Sequence, residues 1–427
     1  VSDLLFRDVV LPERDLQTRF DVRTSAHAIA EIEPAGRLAA DEDVDVVDGD
    51  GLWLLPGFID DHVHLREPGL VHKEGYEHGT RAAAAGGVTT LLEIQNNPPL
   101  VVDRRAAESK LEIVRPKSLV NIGIYGTLVR ESLGEVGGMA DLVAGYKLFM
   151  GPSTGDIAVG KGELMRALFE EVARTGHWLF VHAEDGALIE QGLAEHGAGG
   201  AAAFHLARPA AAEITATRDA LGFGEAVGTR VHVFHVSTAG AVDLVEAARA
   251  RGQAVTAGTC LHYLYFTHED TARLGPLLKV NPSIKTAADR DRLLEGLTSG
   301  AVDCLSSDHA PHAADEKERD FELAPSGIPC LDVYMPLCLT LVERGMLSLQ
   351  TVLDRAAHAP AELHGFLKKG RVEVGHDADL VLCDPKERRA VRGAEHFSRA
   401  RHTPYEGMEL VGWPRVTVVM GRVVHRA

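Results

Sequence analysis

Apolar and polar positions alternate with two different periods along this chain, and the change of period divides it. The first fifty-odd residues carry short period-two stretches, Asp3-Leu4-Leu5-Phe6 and Val44-Asp45-Val46-Val47, broken by the turn-forming Asp48-Gly49-Asp50-Gly51. The far end repeats the style in Ala378-Asp379-Leu380-Val381-Leu382 and in Arg415-Val416-Thr417-Val418-Val419-Met420, after which Gly421-Arg422 turns into Val423-Val424. Strands of this kind bury alternate side chains. Both ends are expected to complete one small β-rich unit around a middle insertion, which brings the termini close together.

In the middle, β-branched runs alternate with Ala/Leu/Glu-rich stretches of helical period, the order expected of βα units and a parallel sheet. Eight strands are predicted: Phe58–Leu65, Val88–Gln95, Leu119–Thr127, Gly145–Met150, Trp178–His182, Val231–Val236, Ala254–Thr259 and Ala301–Ser307. Helices are predicted over Gly162–Arg174 and Ala239–Ala250, and a loop over the Ala/Gly-rich Gly197–Ala203. Eight parallel strands with intervening helices make an α/β barrel of the (β/α)8 type. The predicted organisation is therefore a barrel over residues 56–368 and a smaller β-sandwich domain formed by residues 1–55 and 369–427.

Composition narrows the function classes. The 427 residues are 45% hydrophobic and 25% charged, the balance of a folded soluble domain, and no apolar run is long enough for a membrane span. The start, Val1-Ser2-Asp3-Leu4-Leu5, lacks a basic segment followed by an apolar one, so a cytoplasmic location is expected. Cys260, Cys304, Cys330, Cys338 and Cys383 are odd in number and widely spaced, which points to reduced thiols rather than a disulfide framework or thiolate zinc site. A formal charge of −18 argues against a nucleic-acid partner.

Candidate ligands fall at the C-terminal ends of the predicted strands, where such a barrel carries its active site. Strand one ends in His62-Val63-His64, two imidazoles at the spacing that shares a strand face. Strand five ends in His182-Ala183-Glu184, strand six in His235-Val236-Ser237, and strand eight in Asp308-His309-Ala310-Pro311-His312. Singly, each histidine reads as a hydrogen-bonded core residue and Asp308 as a helix cap; together on one rim they read as a metal site. Lys147 stands inside an apolar strand, where burial favours the neutral amine, a form able to add carbon dioxide.

The run from Leu55 through His62-Val63-His64-Leu65-Arg66-Glu67-Pro68-Gly69 resembles the first-strand signature of dihydroorotases in the amidohydrolase superfamily. The resemblance continues in order through Gly86-Gly87-Val88-Thr89-Thr90, Lys147, Val181-His182-Ala183-Glu184, His235-Val236-Ser237-Thr238, Val280-Asn281-Pro282, Asp308 to His312 and Gly375 to Leu380. It implies two zinc ions, one on His62, His64 and Asp308, the other on His182 and His235, with a carboxylated Lys147 bridging them. It also implies reversible hydrolysis of the cyclic amide of dihydroorotate to N-carbamoyl-aspartate in pyrimidine synthesis, by hydroxide attack on the ring carbonyl with Asp308 as proton shuttle. Arg66, Asn96, Asn281 and His312 would hold this small-molecule substrate. A homodimer and a partner enzyme of the same pathway belong to the same expectation.

Arg66 is read as lying on the strand face of His62 and His64, where its guanidinium would pair with a ring carboxylate, with His312 as a further source of positive charge. Two stretches depart from the family pattern: Gln95-Asn96-Asn97-Pro98, which bears on Asn96, and Cys260-Leu261-His262-Tyr263, with one histidine where many relatives have two. The polar run His312–Ser326 is expected to form a lid. Competing readings are a hydantoinase, dihydropyrimidinase or allantoinase, which would share the metal residues but not need Arg66, and a non-catalytic scaffold, which would be expected to have lost some of the six ligands.

Overall fold

The computed structural model describes residues 3–40, 42–153, 155 and 157–427; Val1 and Ser2 of the N-terminal run lie outside them. Among the described residues there are two eight-stranded sheets. One is parallel throughout and follows chain order: Phe58–Val63, Val88–Glu93, Asn121–Leu128, Gly145–Phe149, Trp178–His182, Arg230–Val233, Val255–Cys260 and Cys304–Ser306. A parallel bridge from Val63 to His309 returns the last strand to the first, and the His64 N–H donates to the His309 carbonyl at 2.8 Å. The sheet is thus the (β/α)8 barrel that the strand count predicts.

Helices cover the barrel because their apolar residues recur at helical spacing. On Glu163–Thr175, Met165, Leu168, Phe169 and Val172 form one buried stripe, and Gly176 ends the helix in the left-handed conformation (φ 72°). Gly197–Ala203 differs from expectation. It forms a short 3-10 turn, Gly197–Gly199, and the start of a helix, Gly200–Ala207. Its alanines favour helix, and buried Phe204 packs edge-on against Phe321 at 5.1 Å, a distant contact that local pattern does not reveal.

The second sheet joins the chain ends. Its order is Arg422–Arg426, Glu409–Val419, Leu380–Ala390, Trp53–Pro56, Asp3–Leu11, Asp15–Ser25 and Ala28–Pro34, with Val44–Asp48 also paired to Asp3–Leu11. The N- and C-terminal contributions meet where Leu55 lies opposite Val381 in antiparallel register. Period two then sorts side chains between two cores. Leu4, Phe6, Leu54, Leu380, Leu382, Val416 and Val418 fill a core of the sheet's own, whereas Leu55, Val381, Cys383 and Val419 face the barrel core. One residue, Gly57, separates Trp53–Pro56 from the first barrel strand, so this sheet anchors the strand that carries His62.

Candidate active site

His62, His64 and Asp308 converge at the C-terminal rim of the barrel. The Nε2 atoms of His62 and His64 lie 3.4 and 3.3 Å from Asp308 Oδ1. All three residues are buried, and their nearest ligand atoms lie within 4.8 Å of one another. This group could hold a metal ion. Beside it, His182 Nδ1 is 3.0 Å from His235 Nε2, and the rings of His62 and His235 are 5.1 Å apart. Burial, ahead of the neighbouring charges, pushes the imidazoles of His62, His64, His182 and His235 below their ordinary value, so they stand in the neutral, ligating form.

Several rings are oriented from behind. His64 Nδ1 is 2.9 Å from the Ile94 carbonyl, which fixes the proton there and turns the Nε2 lone pair to Asp308. His182 Nε2 donates to Glu184 Oε2 at 3.0 Å, which leaves the Nδ1 lone pair facing His235. Glu184 is paired in turn with Arg208, whose Nη2 also donates to the Pro152 carbonyl at 2.7 Å. Burial alone would raise the Glu184 carboxyl; Arg208 and His182 outweigh it and hold it down at about 2. Glu184 belongs to the histidine motif in the sequence, but no sequence signal marks Arg208 as its partner.

Lys147 rises from the fourth strand into the same space, fully buried, with Nζ 4.8 and 4.5 Å from the ring centres of Phe149 and Phe234. Burial lowers its amine to about 7. Its Nζ, His62 Nδ1 and His235 Nδ1 are buried without a hydrogen-bond partner among the described residues. Such orphaned polar atoms are rare in native structures and fit a site made for cations.

The small cavity over these residues is lined also by Arg66, Asn96 and Asn281, with Ser153, Ser326 and Gly327 as further walls. Arg66 reaches it by a different route from the strand parity expected. The strand ends at Val63, and Arg66 sits beyond it in the left-handed region (φ 65°). Its Nη1 donates to Asn96 Oδ1 at 2.9 Å and its Nε to the Pro311 carbonyl at 3.2 Å. His235 (φ 40°) and Asp308 (φ 46°) are likewise left-handed, a conformation that costs a non-glycine residue about 1–3 kcal/mol and collects at functional sites.

His312 lies behind Arg66, its Nε2 3.5 Å from Arg66 Nη2. It does not supply the positive charge expected of it. Burial first, then Arg66, Lys73 and Lys317, keep its ring far below the ordinary histidine value and therefore neutral. Lys73, which sequence reasoning missed, supplies charge there instead, with Nζ 2.9 Å from Glu316. His262 is fully buried with both ring nitrogens unpartnered among the described residues, and burial lowers it to about 4. Asn281 accepts from Ser326 Oγ at 3.2 Å, which ties it to the segment expected to form a lid.

A family model described as the amidohydrolase family matches residues 53–424. The chain belongs to that family. Its curated relatives put it among the dihydroorotases: it is 34% identical over 423 residues to the dihydroorotase of Geobacter sp. strain M21, covering 98% of each chain. It is 36% identical over 392 residues to the dihydroorotase of Methanosarcina mazei, covering 89% of this chain and 85% of the relative. Among solved structures it is similar to the L-hydantoinase of Arthrobacter aurescens, with a TM-score of 0.93 and 29% identity over 100% of this chain and 96% of that one. The dihydropyrimidinase of Brevibacillus agri NCHU1002 follows at a TM-score of 0.88 and 26% identity, over 99% and 95%.

Proposed function

We propose that this chain is a dihydroorotase, a cyclic amidohydrolase that opens dihydroorotate to N-carbamoyl-aspartate and closes it again. One observation carries the choice of substrate: a buried guanidinium, Arg66, forms the cavity wall beside the His62, His64 and Asp308 cluster. A buried cation on the wall of this cavity suits an anion, and the ring carboxylate of dihydroorotate supplies one. The dihydroorotase relatives support the same reading.

In this reading His62, His64 and Asp308 would hold one zinc and His182 and His235 a second, with Lys147, as its carbamate, a ligand shared by both. Support comes from the unpartnered Lys147 amine and from two imidazole nitrogens facing each other at 3.0 Å. When bound, two such ions would supply Lewis acidity and lower the pKa of water. Arg66 and Asn96 orient the ring, with Asn281 and His312 completing the pocket. Asp308, on the cavity wall, takes the proton of the attacking water and delivers it to the departing ring nitrogen as the amide C–N bond breaks. Ring closure retraces these steps. The same reading extends to a homodimer working beside other pyrimidine-pathway enzymes in the cytoplasm, with which five buried free cysteines agree.

The likeness to hydantoinase structures favours a second reading, hydrolysis of an uncharged ring. Turnover of dihydroorotate, dihydrouracil, hydantoin and allantoin by zinc-loaded protein separates the two. Dihydroorotate is expected to give the highest kcat/KM; a preference for an uncharged ring would transfer the assignment to the second reading.

A further inference from the structure

His182 and His235 follow different strands, yet both are backed by one short stretch of chain, Arg208 to Glu213, where the helix Ala210–Val227 begins. Arg208 Nε donates to Glu184 Oε1 at 3.2 Å, and Glu184 Oε2 in turn accepts from His182 Nε2. Glu213 is buried and turns its carboxylate to the residues that follow His235. Its Oε1 accepts from the Ser237 N–H at 2.9 Å, the Thr238 N–H at 3.0 Å and the Thr238 hydroxyl at 2.8 Å, and its Oε2 accepts from the Ser237 hydroxyl.

An ionised carboxylate offers about four acceptor sites and no donor, so these bonds engage Glu213 fully with one loop. The backbone shows why that loop needs holding. His235 stands beyond its strand, Arg230–Val233, with φ 40°, a conformation that a non-glycine residue keeps only where its surroundings enforce it. The stretch that does the holding is itself tied down. The Arg208 carbonyl accepts from Lys285 Nζ at 2.9 Å and Ser283 Oγ at 3.0 Å, and the Ala212 carbonyl from the Asp185 N–H at 3.0 Å. His64 is backed separately, by the Ile94 carbonyl after strand two.

We propose that Arg208 and Glu213 are positioning residues for the second metal alone, Glu213 setting His235 through Ser237 and Thr238, and Arg208 setting His182 through Glu184. The inference rests on the two-metal reading above. Groups that hold metal ligands from behind change metal affinity roughly ten- to hundredfold. One short segment thereby tunes one ion without the other.

Zinc-loaded protein, the full chain in bicarbonate buffer, is titrated with a chelator, and the zinc left per chain is read by elemental analysis. Glu213→Gln keeps the size of the side chain but turns an NH2 group toward the loop donors. It is expected to weaken one ion roughly tenfold or more and the other less than about threefold. Anomalous diffraction from the variant with one ion removed is expected to place the remaining ion on His62, His64 and Asp308. Arg208→Lys keeps the charge but loses the fork that spans Glu184 and the Pro152 carbonyl. It is expected to behave alike, and it decides the question should Glu213→Gln not fold. A general loosening of the structure would weaken both ions together. Equal weakening of both ions in either variant, or two ions held as tightly as in the unsubstituted protein, overturns the inference and leaves the two-metal reading standing. A single ion in the unsubstituted protein overturns that reading and the inference with it.

Discussion

Lys147 puts a primary amine among the rings of Phe149 and Phe234 with no hydrogen-bond acceptor on it among the described residues. Burial brings it to about 7, so near neutrality a large share is the neutral amine, the form able to add carbon dioxide with formation of an N–C bond and release of a proton. Lys147→Ala is expected to lower the metal content below two per chain and cut activity by roughly 100-fold. Short carboxylic acids should restore part of both by filling the vacated space. Full metal content in the variant, measured by elemental analysis, would contradict the bridging role. Lys147 stood out in the sequence because a lysine inside an apolar strand needs a reason. Lys73 did not, because it meets His312, 239 residues further on, only when the chain folds. Glu184 was visible as part of a histidine motif, but its pairing with Arg208 arises only when the chain folds. Arg66 was picked out for the right side of the barrel by strand parity, although a left-handed turn puts it there.

The segment after strand eight is fastened by buried lysines. Lys279 Nζ donates to the carbonyls of Phe321 and Ala324 at 2.6 and 2.8 Å, and Lys317 Nζ to those of Pro325 and Gly327 at 3.0 Å each. Ser326 and Gly327 at its end are walls of the cavity. A hydrogen bond is worth about 0.5–1.5 kcal/mol from a neutral donor and more from a charged one, so the fastening sets how often the segment opens. Lys279→Met is expected to speed proteolytic cleavage within residues 312–326 by about tenfold or more, read by limited proteolysis and mass spectrometry. Unchanged cleavage would show that the lysine does not control opening. At this scale the sequence was informative about position and poor about extent. Helix Ala239–Ala250 has the bounds its periodicity predicts. The eighth strand is only Cys304–Ser306: the Ser307 N–H donates to the buried Asp60 carboxylate at 3.0 Å instead of to a neighbouring strand.

Across the whole molecule, a chain of net charge −18 gathers Arg66 and Lys73 around His312 in one buried corner beside its histidine cluster. That concentration suits an anionic substrate, which the rest of the surface repels. Alternating patterns at both termini were enough to foretell a shared β-unit, but not that Trp53–Pro56 would pair with Leu380–Ala390, since that register joins residues more than 300 positions apart. The central claim is that Arg66 holds a substrate carboxylate. Its most direct test is the ratio of kcat/KM for dihydroorotate to that for dihydrouracil in the unsubstituted protein and in Arg66→Ala. The unsubstituted protein should favour dihydroorotate, and Arg66→Ala should lose on the order of 2–5 kcal/mol of that preference, roughly 30-fold or more, with the dihydrouracil reaction little changed. An initial preference for dihydrouracil, or a ratio that Arg66→Ala leaves intact, would contradict the account.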